Sequence, residues 1–218
     1  MCKYAIIDLE MCRVPKHNRA RYHYSSEIIQ IGAVLLNDEF QVADSINLYV
    51  KPEFGFIDDY IKKLTGIEKK NVIDSFMIKE SIKEFLSWIN EYEDVKIVSW
   101  SMSDRRQIQH ELEEKNVQLP AFDSLYETWI DAQQMFGEMM GTERKYKLFE
   151  ALVAGDIVTE GRDHDGLCDA YNTALLFAKM KTEPEFQFND YYAMARKEET
   201  EGLTFSLGDL FAGLKAAG

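Results

Sequence analysis

Over the first 52 residues, apolar side chains come in short runs and alternations rather than at helical spacing. KYAIID (residues 3–8) groups Ala5, Ile6 and Ile7, is too short for a helix and ends on an acid, so it predicts a buried strand. EIIQIGAVLL (residues 27–36) is apolar and rich in β-branched residues, and Asn37-Asp38 then punctuates it. SINLYVKP (residues 45–52) alternates Ile46, Leu48 and Val50, which predicts a third strand hairpinned to the second. From Ile57 the period changes. Residues 57–64 predict a helix closed by Thr65-Gly66, and residues 75–90 space Phe76, Ile82, Phe85, Leu86 and Ile89 by threes and fours. KIVSW (residues 96–100) predicts a fourth strand, running into a helix that Asp104 opens, since an acid suits a first turn. Residues 126–130 predict a fifth strand, and helices follow over 132–140, 146–154 and 165–180, with Gly161 breaking the chain before the last. This order predicts a mixed α/β layered domain.

Composition narrows the class. At 218 residues the chain is one large domain, or one domain with an appendage. With 46% hydrophobic and 29% charged residues it is ordinary globular material, long enough to fold without staples. Its three cysteines lie far apart (Cys2, Cys12, Cys168), which excludes a disulfide framework and a thiol zinc site. The beginning, MCKYAIIDLE, meets Asp8 before any apolar run could form a signal peptide, and no later stretch approaches about 20 apolar residues. The expectation is a reduced, cytoplasmic protein with no membrane partner. Residues 183–218 differ in character from 1–182. Pro184 is followed by Phe186, Phe188, Tyr191 and Tyr192, and SLGDLFAGL puts Leu207, Leu210, Phe211 and Leu214 on one helical face behind a Ser206 cap. Such an extension is expected to pack back on the domain; a homodimer or protein-partner contact is the alternative.

Net charge is −13, from 38 acids against 25 Lys plus Arg, which argues against a cation-coated general nucleic-acid binder. The charge is unevenly spread. Residues 11–26 contain no acid, while Arg13, Lys16, Arg19 and Arg21 supply four cations and His17 and His23 two of the four histidines. That loop is either a solvated surface or a local grip on an anionic polymer.

Three acidic motifs carry candidate chemistry. Asp8-Leu9-Glu10 ends the first strand, and strand alternation points both carboxylates to one face. In so acidic a chain such a spacing arises by chance about once or twice, so its strand context is what matters. Asp104 stands just beyond the fourth strand, where a helix begins. In GRDHDGLCDA, His164 lies at the last helix's start and Asp169 inside its first turns, beside apolar Ala170, Leu175 and Phe177. Four acids in one cleft repel unless cations neutralise them. Hard divalent ions do so, and two of them can activate a water and stabilise a leaving oxygen, with a histidine to take the proton.

These motifs resemble the DEDDh family of 3′→5′ exonucleases, which share the ribonuclease H-like fold. Asp8-Leu9-Glu10 stands as the first motif, followed by EIIQIGAV and LTGI (residues 64–67). Asp104 in SWSMSDRRQI stands as the second, and His164 with Asp169 in HxxxxD form as the third. The resemblance spans residues 3–181 and is nearest the enhanced-RNAi-type and sporulation-inhibitor-like exonucleases. It implies an α/β fold with a five-stranded mixed sheet flanked by helices, acting on single-stranded RNA or DNA 3′ ends. It implies two divalent metal ions, Mg²⁺ or Mn²⁺: Asp8, Glu10 and Asp169 on the first, Asp8 bridging to the second, Asp104 reaching it directly or through water. His164 becomes the general base, and Met11 and Cys12 match the stretch beside the terminal nucleotide. Where several relatives place a base-stacking aromatic before the second-motif acid, this chain has Ser103, with Trp100 and Met102 as nearby substitutes. Arg19 and Arg21 are expected to grip phosphates upstream of the cleaved end. Cys12 and Cys168 read as small packing residues. Two other readings remain open at this level: an enzyme for dinucleotides or short oligonucleotides, and a non-catalytic regulatory binding protein on the same fold.

Overall fold

The computed structural model describes residues 3–183 together with Phe186, Phe188 and Asn189. Five strands form one sheet: β1 (Lys3–Arg13), β2 (Ser26–Leu36), β3 (Val42–Tyr49), β4 (Val95–Ser99) and β5 (Ile130–Asp131), in the order β3-β2-β1-β4-β5. β1 runs antiparallel to β2 and parallel to β4, β3 is antiparallel to β2, and β5 is parallel to β4. The sheet is therefore mixed, as the sequence predicts. Its helices are α1 (Asp59–Thr65), α2 (Lys69–Val72), α3 (Ile78–Ile89), α4 (Ser103–Glu114), α5 (Pro120–Asp123), α6 (Ala132–Met140), α7 (Leu148–Ala154) and α8 (Gly166–Thr182).

Alternation along β1 sorts the core into two layers. Ala5, Ile7 and Leu9 face one side and pack with Ile82, Phe85, Ile108 and Leu112 of α3 and α4. Ile6 faces the other, with Phe136, Leu152 and Phe177 of α6, α7 and α8. β2 is buried on both faces, which explains its nearly unbroken apolar run.

Of the boundaries that differ from the sequence reading, two have a plain physical cause. β1 continues five residues beyond Asp8, because its backbone keeps pairing with β2 as far as Arg13 and a register shift between Glu10 and Met11 absorbs the misfit. The fifth strand is only Ile130–Asp131; the expected stretch before it is a 3-10 turn over Ser124–Thr128. Tyr126 and Trp129, three apart, both turn onto Phe122 at ring distances of 5.3 and 6.4 Å, a spacing that a tight helical turn serves and a strand does not.

Beyond α8, Phe186 and Phe188 meet Phe136 at 6.4 and 5.9 Å, and the Asn189 amide donates to the Ala154 carbonyl. Tyr191, Tyr192 and the expected helix over 206–214 lie outside the described residues. Among the described residues no helix is long and apolar enough to cross a membrane.

Candidate active site

β1 brings Asp8 and Glu10 to one face of the sheet, the face that α8 covers. α8 approaches unusually closely. A Cβ on Gly32 would come within 2.2 Å of the Gly166 carbonyl carbon, so only glycine lets helix and strand backbones meet here. The contact is fixed by Gln30, fully buried in β2 opposite Glu10, whose side-chain oxygen accepts the Gly166 N–H at 3.0 Å. Asp165 caps α8 by accepting from Leu167 and Cys168 at 3.1 and 3.2 Å. Asp169 is thereby set in the first turn of α8, over the β1 acids.

His164 immediately precedes the cap with φ of 60°, the left-handed region that a non-glycine residue adopts at a cost. Its backbone N–H donates to Asp169 Oδ2 at 2.9 Å. One ligand atom from each of Glu10, His164 and Asp169 can be chosen so that all lie within 4.8 Å of one another. The loop before His164 is tied across the site by Arg162, which donates to the Lys63 and Leu64 carbonyls, the latter at 3.2 Å. Those carbonyls belong to the C-terminal end of α1, where the helix dipole favours a cation. Gly66, at φ of 76°, ends α1 where any side chain would strike the guanidinium.

Asp104 comes from the opposite layer, in the first turn of α4, and is nearly buried. The Ser103 hydroxyl approaches its Oδ2 at 3.4 Å. All five motif residues thus gather around β1 just past the C-terminal end of β4, where β1 still pairs with β2 but no longer with β4.

The electrostatics follow from burial and crowding. The protein packed around Asp8 holds its carboxyl well above the usual range, and Asp104, Asp169 and Glu10 push the same way. Burial raises Glu10 to about 8, with Asp169, Asp165 and Asp104 adding to it. Burial raises Asp104 to about 7 against hydrogen bonds that favour its ionised form. Asp169 is also raised, by burial first, opposed by the His164 N–H. Among the described residues no lysine or arginine forms an ion pair with any of the four. An all-oxygen donor set with this charge surplus fits hard divalent cations, which would pull every one of these carboxyls back to its ionised form.

The expected substrate contacts are placed unevenly. Met11 is half-buried and packs against the α3–α4 layer. For Cys12 the packing reading holds and the side-chain contact with a nucleotide does not: the residue is 1% exposed, among Ile29, Ile61, Ile67 and Val72, and burial lifts its thiol to about 12. It is a packing residue, closed to a ligand. Trp100 is 8% exposed, its indole N–H on the Tyr146 carbonyl at 3.2 Å, with one edge facing a cavity beside His164. Arg19 donates to the Val14 carbonyl at 3.3 Å and Arg21 lies over the Phe54 ring at 5.4 Å, both on the loop after β1. Sequence reasoning missed Gln30, Gly32 and Arg162. A lone glycine inside a buried strand is a signal for close backbone approach; nothing local marks Arg162.

Residues 5–177 match the family model described as Exonuclease. Human ERI1 exoribonuclease 2 is 29% identical over 186 residues, covering 75% of this chain and 26% of that protein. The 3'-5' exonuclease Snipper of Drosophila melanogaster is 25% identical, over 71% of this chain and 61% of that protein. The chain therefore spans about a quarter of the length of the first of these relatives. The nuclease domain of 3'hExo, a DEDDh family member bound to rAMP, superposes with a TM-score of 0.70 at 24% identity, covering 86% of this chain and 96% of that one. The fold is thus ribonuclease H-like, as expected from the motifs.

Proposed function

Because the chain belongs to the exonuclease family, whose model matches residues 5–177, we propose that it removes nucleotides stepwise from single-stranded RNA or DNA 3′ ends. The observation that carries this reading is the convergence of Asp8, Glu10, Asp104, Asp169 and His164 from four separate elements around β1 just past the C-terminal end of β4. Four carboxylates would hold two divalent ions, Mg²⁺ or Mn²⁺, with Asp8, Glu10 and Asp169 around one and Asp8 with Asp104 toward the other. When bound, the ions supply Lewis acidity and charge neutralisation at the scissile phosphate.

The protein's own groups do the rest. His164 takes the proton of the attacking water on a ring nitrogen. Asp169 fixes the loop that carries it by accepting the His164 backbone N–H, and Arg162 ties that loop to α1. Met11 lies along the terminal nucleotide, and the cations after β1 attract the strand upstream. The protein works in the cytoplasm, on nucleic acid rather than membrane. Release of 5′-mononucleotides from single-stranded oligonucleotides, present with Mg²⁺ or Mn²⁺ and absent with Asp169→Asn, is the test. Mononucleotide release at the wild-type rate by Asp169→Asn would contradict the assignment.

A further inference from the structure

A phosphodiester bond lies between two nucleosides, so a site that cleaves it must accommodate one on each side of the reacting phosphate. The two flanks of the acid cluster differ. Toward α1, the guanidinium of Arg162 bridges the His164 loop to the Lys63 and Leu64 carbonyls and walls that flank. Toward α7, a cavity of about 400 Å³ opens and shares His164 and Asp169 with the cluster. That volume is within the range of small-molecule pockets.

The cavity's lining is mainly apolar. Trp100, Leu148 and Leu152 are its aliphatic and indole lining, and Trp100 is held by its hydrogen bond to the Tyr146 carbonyl, which also accepts from Gln133 at 2.6 Å. At the rim stands Phe149, 63% exposed on a short helix and without a ring partner among the described residues. Beside it is Lys147. Glu150, three residues on, is already engaged by Arg144 at 2.7 Å and by the Lys147 backbone N–H at 2.8 Å, and the two acids lining the cavity, Asp163 and Asp169, form no ion pair with Lys147. The Lys147 ammonium therefore has no ion pair among the described residues of a chain whose net charge is −13. An exposed aromatic face with a free cation next to it suits a base and the phosphate that follows it.

We propose that this cavity is the subsite for the nucleoside on the 5′ side of the cleaved bond. Its base stacks on Phe149 against the Trp100–Leu148–Leu152 lining, and its own 5′ phosphate lies at Lys147. The open direction decides which nucleoside it takes: a terminal residue ends in the site, whereas the upstream strand must continue to solvent, past an exposed rim. The inference rests on the exonuclease reading of the acids.

The test compares wild type and Phe149→Ala on two single-stranded oligonucleotides, one intact and one abasic at the second position from the 3′ end, by initial rates of the first cleavage. Phe149→Ala should raise KM on the intact strand by about 5- to 160-fold, the range that base stacking supplies. On the abasic strand the two proteins should share one KM. If the wild type shortens the intact strand and Phe149→Ala keeps its KM, the subsite is overturned and the exonuclease reading stands. A variant defect that persists undiminished on the abasic strand overturns it equally. A wild type that shortens neither strand removes both readings.

Discussion

Replacing Lys115 by methionine opens a buried charge cluster that lies outside the acidic site. The Lys115 ammonium lies 2.7 Å from Glu27, 2.9 Å from Glu111 and 3.1 Å from Glu53. The side chains of Glu27 and Glu111 have no exposed surface at all. Glu27 also accepts the backbone N–H groups of Glu53, Phe54 and Gly55, and Glu111 accepts that of Ile28 at 2.8 Å. The cluster thus ties the start of β2 to α4, the helix that carries Asp104. Methionine keeps the packing of the lysine stem but leaves two buried carboxylates facing each other without a cation. Removing one partner of a buried pair costs about 3–5 kcal/mol. At about 2–4 °C per kcal/mol for a domain of this size, Tm should fall by about 6–20 °C.

The pH dependence carries a sign. Burial raises the Glu111 carboxyl, and Lys115 opposes that rise. A raised folded pKa means stability present below the unfolded carboxyl pKa and lost as pH climbs through the folded one. Without Lys115 the rise is larger, so the variant's deficit should be greatest at pH 8 and shrink on acidification as Glu111 takes up its proton. Thermal melts of both proteins between pH 8 and pH 5 measure this. A deficit below about 1 kcal/mol at pH 8, within the range of exposed pairs, or one that does not narrow toward pH 5, would refute the reasoning.

Gly32→Ala places a methyl against the α8 backbone. It should cost about 1–3 kcal/mol of stability and, by displacing Asp169, lower kcat by about 100-fold; unchanged single-turnover rates would contradict this. Arg162→Ala removes the tie between the His164 loop and α1. Being exposed, it should shift Tm by less than about 2 °C while kcat falls more than KM rises; steady-state kinetics separate the two. Arg19→Glu with Arg21→Glu should raise KM on long strands and reduce the salt slope by about 1.4, at about 0.7 per phosphate contact on single strands. An unchanged slope assigns those cations to packing alone.

Most of the layered architecture was legible because each layer imposes its own period. β1 and β3 alternate or run apolar, β2 is apolar throughout because both faces are covered, and α3 repeats by threes and fours. The misses have physical causes. Asp8 and Glu10 interrupt the apolar run, so β1 reads as ending where its chemistry begins, although its backbone pairing ignores side-chain polarity. The aromatics of residues 122–129 satisfy strand composition while their contacts favour a helical turn. At the site, the five motif residues were readable as types at spacings. What holds them was not: Gln30 and Gly166 meet across 136 residues, and Arg162 reaches carbonyls nearly a hundred residues away. Cys12 shows the limit of local matching, since strand pairing and the α1–α2 packing bury it regardless of its neighbours.

On the proposed reading these five residues form a metal-dependent 3′→5′ exonuclease centre. The most direct measurement is a degradation ladder on 5′-labelled single-stranded RNA and DNA with Mg²⁺ or Mn²⁺, beside EDTA and Asp8→Asn controls. Stepwise shortening from the 3′ end, abolished in both controls while Asp8→Asn keeps its fold by circular dichroism, is the predicted result. Full-length strands throughout, or a ladder that survives in Asp8→Asn, would contradict it.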